Sequence, residues 1–167
     1  MQLRLPKVVL ALLAGSIAIT VGSLGVQAQA PKALEGTWTL NVAKSKFNPG
    51  PAPKSMTVTY APVSDGLKIS VDVTWDTGGP QHWEMSGKYD GKDYPITGNP
   101  MADMASFKLV NDHTGESTFK KDGKVVATNT RVLSKDGKTL TITSTGTTAD
   151  GKPRSDVQVF EKQGATS

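Results

Sequence analysis

The chain has 167 residues and no cysteine, with 19 Lys and Arg residues against 15 Asp and Glu residues. The absence of cysteine excludes disulfide bonds, a cysteine nucleophile and a lipid-modified N-terminal cysteine. Removal of the leader described below would lower the formal charge from +4 to about +2, so charge gives no indication of a nucleic-acid partner.

The first 30 residues have the layout of a secretory signal peptide. Arg4 and Lys7 precede an uncharged segment over residues 8–26, and a small-residue Ala-Gln-Ala cleavage signal follows at residues 28–30. We predict cleavage after Ala30 and a periplasmic or secreted product in which residues 31–167 form one domain. The alternative is an uncleaved membrane anchor, since the uncharged segment approaches the roughly 20 residues that span a bilayer.

Residues 36–42 predict the first strand. Trp38, Leu40 and Val42 fall on one face of an extended chain, and the polar residues between them fall on the other. The stretch that follows contains several prolines and is expected to be an irregular loop. Phe47, at the start of this loop, either packs under the end of the sheet or closes over the mouth of a cavity as part of a lid.

The rest of the chain alternates apolar and polar residues in short segments separated by turn residues, which is typical of an antiparallel meander. Asp-Gly dipeptides, which are strong hairpin signals, begin at positions 65, 90, 122, 136 and 150. No segment has a helical periodicity of comparable quality. We therefore predict an all-β domain of about 8–10 antiparallel strands. After the first strand they cover residues 56–60, 67–75, 81–89, 92–97, 105–109, 116–121, 125–133, 139–145 and 155–161.

Both ends of the predicted domain resemble the calycin superfamily, which includes the lipocalins and the fatty-acid-binding proteins. The first strand begins with a Gly-x-Trp motif, Gly36-Thr37-Trp38, and residues 157–162 are similar to the closing strand of fatty-acid-binding proteins. The resemblance implies a single up-and-down β-barrel in which Gly36 and Trp38 form a structural plug at the closed end. With the predicted leader, it implies a secreted bacterial lipocalin-like barrel.

The chain departs from the fatty-acid-binding pattern in two places. Those proteins hold the lipid carboxylate with an Arg-x-Tyr pair on the last strand, where this chain has Gln158 and Phe160. They also have two short helices after the first strand, for which residues 43–54 are too few and too rich in proline. Arg131 could replace the missing arginine if it points inward with Asn129; otherwise it lies in solvent on the outer face, where arginines usually lie.

The interior of a barrel of this size is either filled by side chains or holds one small ligand. Large apolar side chains suit both outcomes. Following the resemblance, we predict a cavity and a monomer that binds a small hydrophobic or amphipathic ligand without chemistry. The alternative is a filled barrel that acts as a periplasmic protein-interaction or envelope-stress module. The candidate ligand-binding residues are Trp75, Trp83, Met85, Phe107, Phe119, Arg131 and Phe160.

Candidate catalytic and metal-binding residues are few. His82 is predicted on the polar face of a strand and His113 in a turn, with no metal-ligand spacing around either. We predict a protein that is not an enzyme, with no metal, no cofactor, no nucleic-acid partner and, after signal cleavage, no stable membrane anchoring. An isomerase or hydrolase would need one of these histidines and a carboxylate in a common pocket.

Overall fold

The computed structural model describes residues 29–64, 66–148 and 150–164, and the predicted signal segment before residue 29 lies outside them. In this part of the chain, no helix is long and apolar enough to cross a bilayer. Its helical residues form two single 3₁₀ turns, Lys32–Leu34 and Val42–Lys44. The strands are β1 (Gly36–Leu40), β2 (Lys46–Asn48), β3 (Ser55–Val63), β4 (Gly66–Thr74), β5 (Pro80–Gly87), β6 (Asp93–Thr97), β7 (Met104–Asn111), β8 (Thr114–Lys121), β9 (Lys124–Leu133), β10 (Thr139–Thr147) and β11 (Pro153–Lys162).

Every described strand except β2 belongs to a closed antiparallel barrel, and the strands follow one another in chain order. From β3 to β11 each strand pairs with the next, and β1 closes the sheet by pairing with both β3 and β11. The pairing between β5 and β6 is short, with two residue pairs, because β6 contains Pro95, which cannot donate to the ladder. The predicted fold class, an up-and-down β-barrel, is confirmed.

β2 is a strand in a stretch where the sequence predicted a loop. After β1 the chain makes the 3₁₀ turn Val42–Lys44, capped by Asn41, whose side chain accepts a hydrogen bond from the Lys44 amide. The chain then extends again and pairs with β11 at Ser155–Val157. The backbone groups on this part of the β11 edge need partners, and β2 supplies them where β1 no longer reaches.

The turns at the four Asp-Gly dipeptides that the structure describes in full, at positions 90, 122, 136 and 150, have two different geometries. Asp122 and Gly123 both have positive φ, 49° and 76°, and join β8 to β9 as a two-residue hairpin turn. Gly91, Gly137 and Gly151 also have positive φ, but they lie in longer connections. The dipeptide therefore predicted the positions of the turns better than their types.

The packed core fills the end of the barrel at which β1 begins, which we call the closed end. Trp38 is fully buried there, and its indole nitrogen donates a hydrogen bond of 2.8 Å to the Leu34 carbonyl. The Lys162 ammonium lies 5.2 Å from the centre of the indole ring. Leu140 and Phe160 are also fully buried in this core. Trp38 is thus a central residue of the core at the closed end, and its role as the plug that the resemblance implied stays a prediction.

Gly36 brings the chain into β1 with a φ of 114°, a conformation that other residues rarely adopt. The strand starts directly after the 3₁₀ turn that places Leu34 against Trp38. Glycine at this position therefore lets the chain cap the closed end and enter the sheet within two residues.

Replacement of Trp38 by alanine tests the plug. We expect Trp38→Ala to lower the free energy of unfolding by about 3–5 kcal/mol, because it leaves a large cavity in the core. Trp38→Phe keeps most of the buried area and loses the hydrogen bond to Leu34. The free energy of unfolding should therefore fall by only about 1–2 kcal/mol in this variant. Urea unfolding followed by circular dichroism measures both. Similar losses for the two variants would contradict the packing role.

Candidate ligand-binding site

Beyond the plug, the barrel encloses a cavity of about 610 Å³. This volume lies within the range of about 300–1,000 Å³ that is usual for small-molecule sites. Near the mouth the cavity is lined by connections between strands, including Trp75 after β4, Met101 between β6 and β7, and Lys152 between β10 and β11. The interior is therefore not filled by side chains, which the sequence alone did not decide.

One wall of the cavity is apolar and is built by β3, β4, β5 and β7. Alternate residues of these strands point inward, as the two-residue period requires. Val58, Ile69, Val71, Met85 and Phe107 are buried on this wall and line the cavity. The wall gives an apolar ligand a surface with which it can exclude water.

The predicted ligand-binding residues divide into two groups. Trp75, Trp83, Met85, Phe107, Phe119 and Arg131 line the cavity. Phe160 does not, and its prediction as a lining residue requires correction. It points inward, but β11 places it opposite Leu40 and Leu140, within the packed closed end.

The proline-rich segment lies at the mouth of the cavity. Phe47 and the three prolines at positions 49, 51 and 53 line the cavity, so Phe47 takes the lid position and not the position under the closed end. Asp156 holds this segment in place: its carboxylate accepts a hydrogen bond of 3.1 Å from the Asn48 amide and lies 3.3 Å from Arg154 Nε. Asp156 is buried, and its place at the site was not predicted from the sequence.

Arg131 points into the barrel, with 9% of its surface exposed. Its guanidinium carbon lies 5.9 Å from the ring centre of Tyr60 and 5.7 Å from that of Tyr89, within the range of cation–π attraction. Nη1 donates a hydrogen bond of 2.8 Å to the Tyr89 hydroxyl. The expectation that this arginine is usually solvated is therefore wrong here, and the inward alternative holds.

A glycine on the neighbouring strand makes room for the Arg131 side chain. Gly115 on β8 lies opposite Arg131 on β9, and a Cβ atom at Gly115 would lie 2.5 Å from Arg131 Nη2. The guanidinium therefore occupies the space above a residue without a side chain. The two tyrosines and this glycine were not identified as site residues, because only the three-dimensional pairing brings them to Arg131.

The charge of Arg131 is not neutralised by the described residues. No Asp or Glu among them forms an ion pair with it, whereas Arg154, the other arginine of the cavity, faces Asp156. Arg131 Nε is buried and has no hydrogen-bond partner in the described chain. A buried cation without an anion is costly unless dipoles or a bound anion compensate for it.

Burial raises the pKa of Tyr60 to about 12, and the nearby Arg131 charge only partly opposes this effect. The Tyr60 phenol is consequently neutral at physiological pH and does not neutralise the guanidinium. It contributes its ring face and its dipole to a site that keeps a net positive charge.

The two histidines lie away from the cavity lining. His82 is on the outer face of β5, where Nδ1 lies 2.7 Å from Asp72 Oδ1, and this hydrogen bond raises the pKa of the imidazole. His113 lies in the turn between β7 and β8. Within residues 29–64, 66–148 and 150–164, no three His, Cys, Asp or Glu side chains converge as a metal site would require.

The pKa of Tyr60 leads to a prediction for alkaline solution. Because the folded-state pKa is about 12 and the ordinary value is 10.0, the contribution of Tyr60 is complete below pH 10 and is lost as the pH rises toward 12. Two pKa units correspond to at most about 2.7 kcal/mol of stability. Urea unfolding across this pH range should show that the free energy of unfolding declines less steeply for Tyr60→Phe than for the wild type. Equal declines in the free energy of unfolding would contradict the raised pKa of Tyr60.

Comparison with known proteins adds a distant structural likeness. No family model matches the chain, and no curated protein matches it. The crystal structure of zebrafish ileal bile acid-binding protein complexed with cholic acid is similar over 78% of this chain and 98% of that chain, with 14% identity and a TM-score of 0.48. At this distance, the ligand of that protein says nothing about the ligand of this one, and the barrel is established by the strand pairings of the chain itself.

Proposed function

We propose that the protein is an extracytoplasmic binding protein that holds a small anionic amphiphile inside its barrel without converting it. The observation that carries the proposal is the buried, unneutralised Arg131 at the inner end of a cavity with an apolar wall. An anionic group would bind the guanidinium, and an apolar body would lie against the wall of β3, β4, β5 and β7.

The contacts of Arg131 orient its guanidinium in a way that favours binding of an anion. The two tyrosine rings lie within cation–π range of the guanidinium, the Tyr89 hydroxyl accepts a hydrogen bond from Nη1, and Nε remains without a partner in the described chain. A guanidinium that is already oriented loses little entropy when it binds a carboxylate. Charge-assisted hydrogen bonds of this kind are among the stronger polar contacts available to a ligand.

The remaining parts of the proposal have separate support. Location outside the cytoplasm is supported by the signal-peptide layout of the first 30 residues. Binding without conversion is supported by the composition of the lining, which includes neither of the two histidines, so the general base that an isomerase or hydrolase would most often use is not at the site.

A comparison of an acid with its neutral ester tests the anionic part of the proposal. Isothermal titration calorimetry with palmitate and methyl palmitate should give an affinity about 10- to 100-fold higher for the acid, since hydrogen bonds to charged groups are worth about 1.5–3 kcal/mol. Arg131→Met keeps a side chain of similar length without charge. In this variant, the ratio of the affinity for palmitate to that for methyl palmitate should fall toward one. Thr130→Val, on the outer face of β9, is the matched control.

The outcomes of this comparison are distinct. If neither compound binds to the wild type, the proposed function is wrong. If both bind equally well, the barrel binds apolar molecules, but Arg131 is not an anion site. Thermal unfolding of each variant shows whether a loss of affinity reflects a loss of folding.

Gly115→Ala provides a second, independent test of the Arg131 site. The φ of Gly115 is not in the left-handed region, so the backbone accepts alanine, but the new methyl group would force Nη2 to move. We expect the affinity for palmitate to fall about tenfold, comparable to a lost charge-assisted hydrogen bond, while the affinity for the methyl ester stays unchanged. Unchanged binding of both compounds would show that the position of the guanidinium does not matter.

A further inference from the structure

The wall of the cavity opposite the apolar strands carries a row of polar side chains. The strand register places Ser117 of β8 opposite Asn129 of β9, Asn129 opposite Ser144 of β10, and Ser144 opposite Asp156 of β11. All four residues line the cavity. We call this row the polar belt.

The polar belt lies one inward-facing step from Arg131, toward the mouth. Arg131 belongs to the next row, opposite Gly115 and Ile142, and two residues along a strand correspond to about 7 Å. On the other side of the belt, the row formed by Phe119, Ala127 and Gly146 carries no polar side chain on these three strands, and on β11 it continues with Arg154 opposite Gly146. The belt is therefore a polar level between the rows of Arg131 and Arg154.

The members of the belt differ in how well their hydrogen-bonding capacity is used. Asp156 holds the lid segment and faces Arg154, and the Ser144 hydroxyl is 3.4 Å from an Arg154 nitrogen that donates to it. Asn129 Oδ1, in contrast, is buried without a hydrogen-bond partner in the described chain. Unmatched polar atoms are rare in folded proteins, and each one needs an explanation.

The amide of Asn129 can present either its oxygen or its nitrogen to the cavity after a rotation about χ2. An unsubstituted alkyl chain would match neither atom and would leave the amide desolvated and unpaired, at a cost in affinity. A hydroxyl group both donates and accepts, so it can pair with either orientation of the amide and also with the hydroxyl of Ser117 or Ser144.

We propose that the ligand carries a hydroxyl group that binds at the polar belt beside Asn129, in addition to the anionic group that binds Arg131. The ligand class is thus a hydroxylated anionic amphiphile, with its polar substituents along the side that faces β8 to β11. This inference rests on the proposed function, because it assumes that the anionic group is held by Arg131.

Stearate and a series of hydroxystearates, in which the hydroxyl moves along the chain, are the probes. In calorimetric titrations below their aggregation concentrations, at least one hydroxystearate should bind about 3- to 10-fold more tightly than stearate, which corresponds to one net hydrogen bond. In Asn129→Leu, which has a similar volume and no hydrogen-bonding group, this preference should disappear while stearate still binds. Thr130→Val should keep the preference.

The two proposals can fail separately. If stearate binds and no hydroxystearate binds more tightly, the hydroxyl site is wrong and the anionic binding protein remains. A preference that survives in Asn129→Leu and is lost only in Ser117→Ala would also overturn the role given to Asn129. If neither stearate nor any hydroxystearate binds, both proposals fall together. Unfolding curves for Asn129→Leu establish that the variant is folded before its affinities are compared.

Discussion

The pairing of the first barrel strand with the last is the contact on which the rest of the structure depends. β1 and β11 share three residue pairs, and these join strands more than a hundred residues apart in the chain. Without them, the edges of β1 and β11 would be open, and the interior would be one face of an open sheet. Closure converts the alternating inward residues of all the strands into one enclosed space.

The same junction separates the packed end from the cavity. Trp38 lies at the start of this pairing, and its indole fills the closed end together with Phe160 and Leu140. After Leu40 the chain turns and then rejoins β11 as β2. β11 thus has the plug beside one part of its length and the lid segment beside the other, and the cavity occupies the space between them. A domain without disulfide bonds obtains its rigidity in this way from backbone pairing and core packing.

The two walls of the cavity differ in polarity. The strands from β3 to β5, together with β7, contribute buried aliphatic and aromatic groups, whereas β8 to β11 contribute Arg131 and the polar belt beside apolar residues such as Phe119 and Ile142. Water inside such a cavity would be poorly bound at one wall and well bound at the other. A ligand that matches both walls gains from apolar burial and retains its hydrogen bonds. In the proposed function, Arg131 is the group that selects an anionic ligand, because Asp156 is already engaged by Arg154 and the lid.

The sequence by itself determined the fold class, the approximate positions of most strands and turns, and the large apolar residues that line the barrel. These follow from local rules: a two-residue period, turn residues with tolerated positive φ, and prolines that interrupt strands. Only the tertiary structure decided that the interior is a cavity, that Phe160 belongs to the plug and that Arg131 points inward. Each of these depends on which residues of distant strands lie opposite one another. Gly115 illustrates the reason. The role of this glycine follows only from the register of β8 and β9, which places the Arg131 guanidinium where a Gly115 side chain would lie.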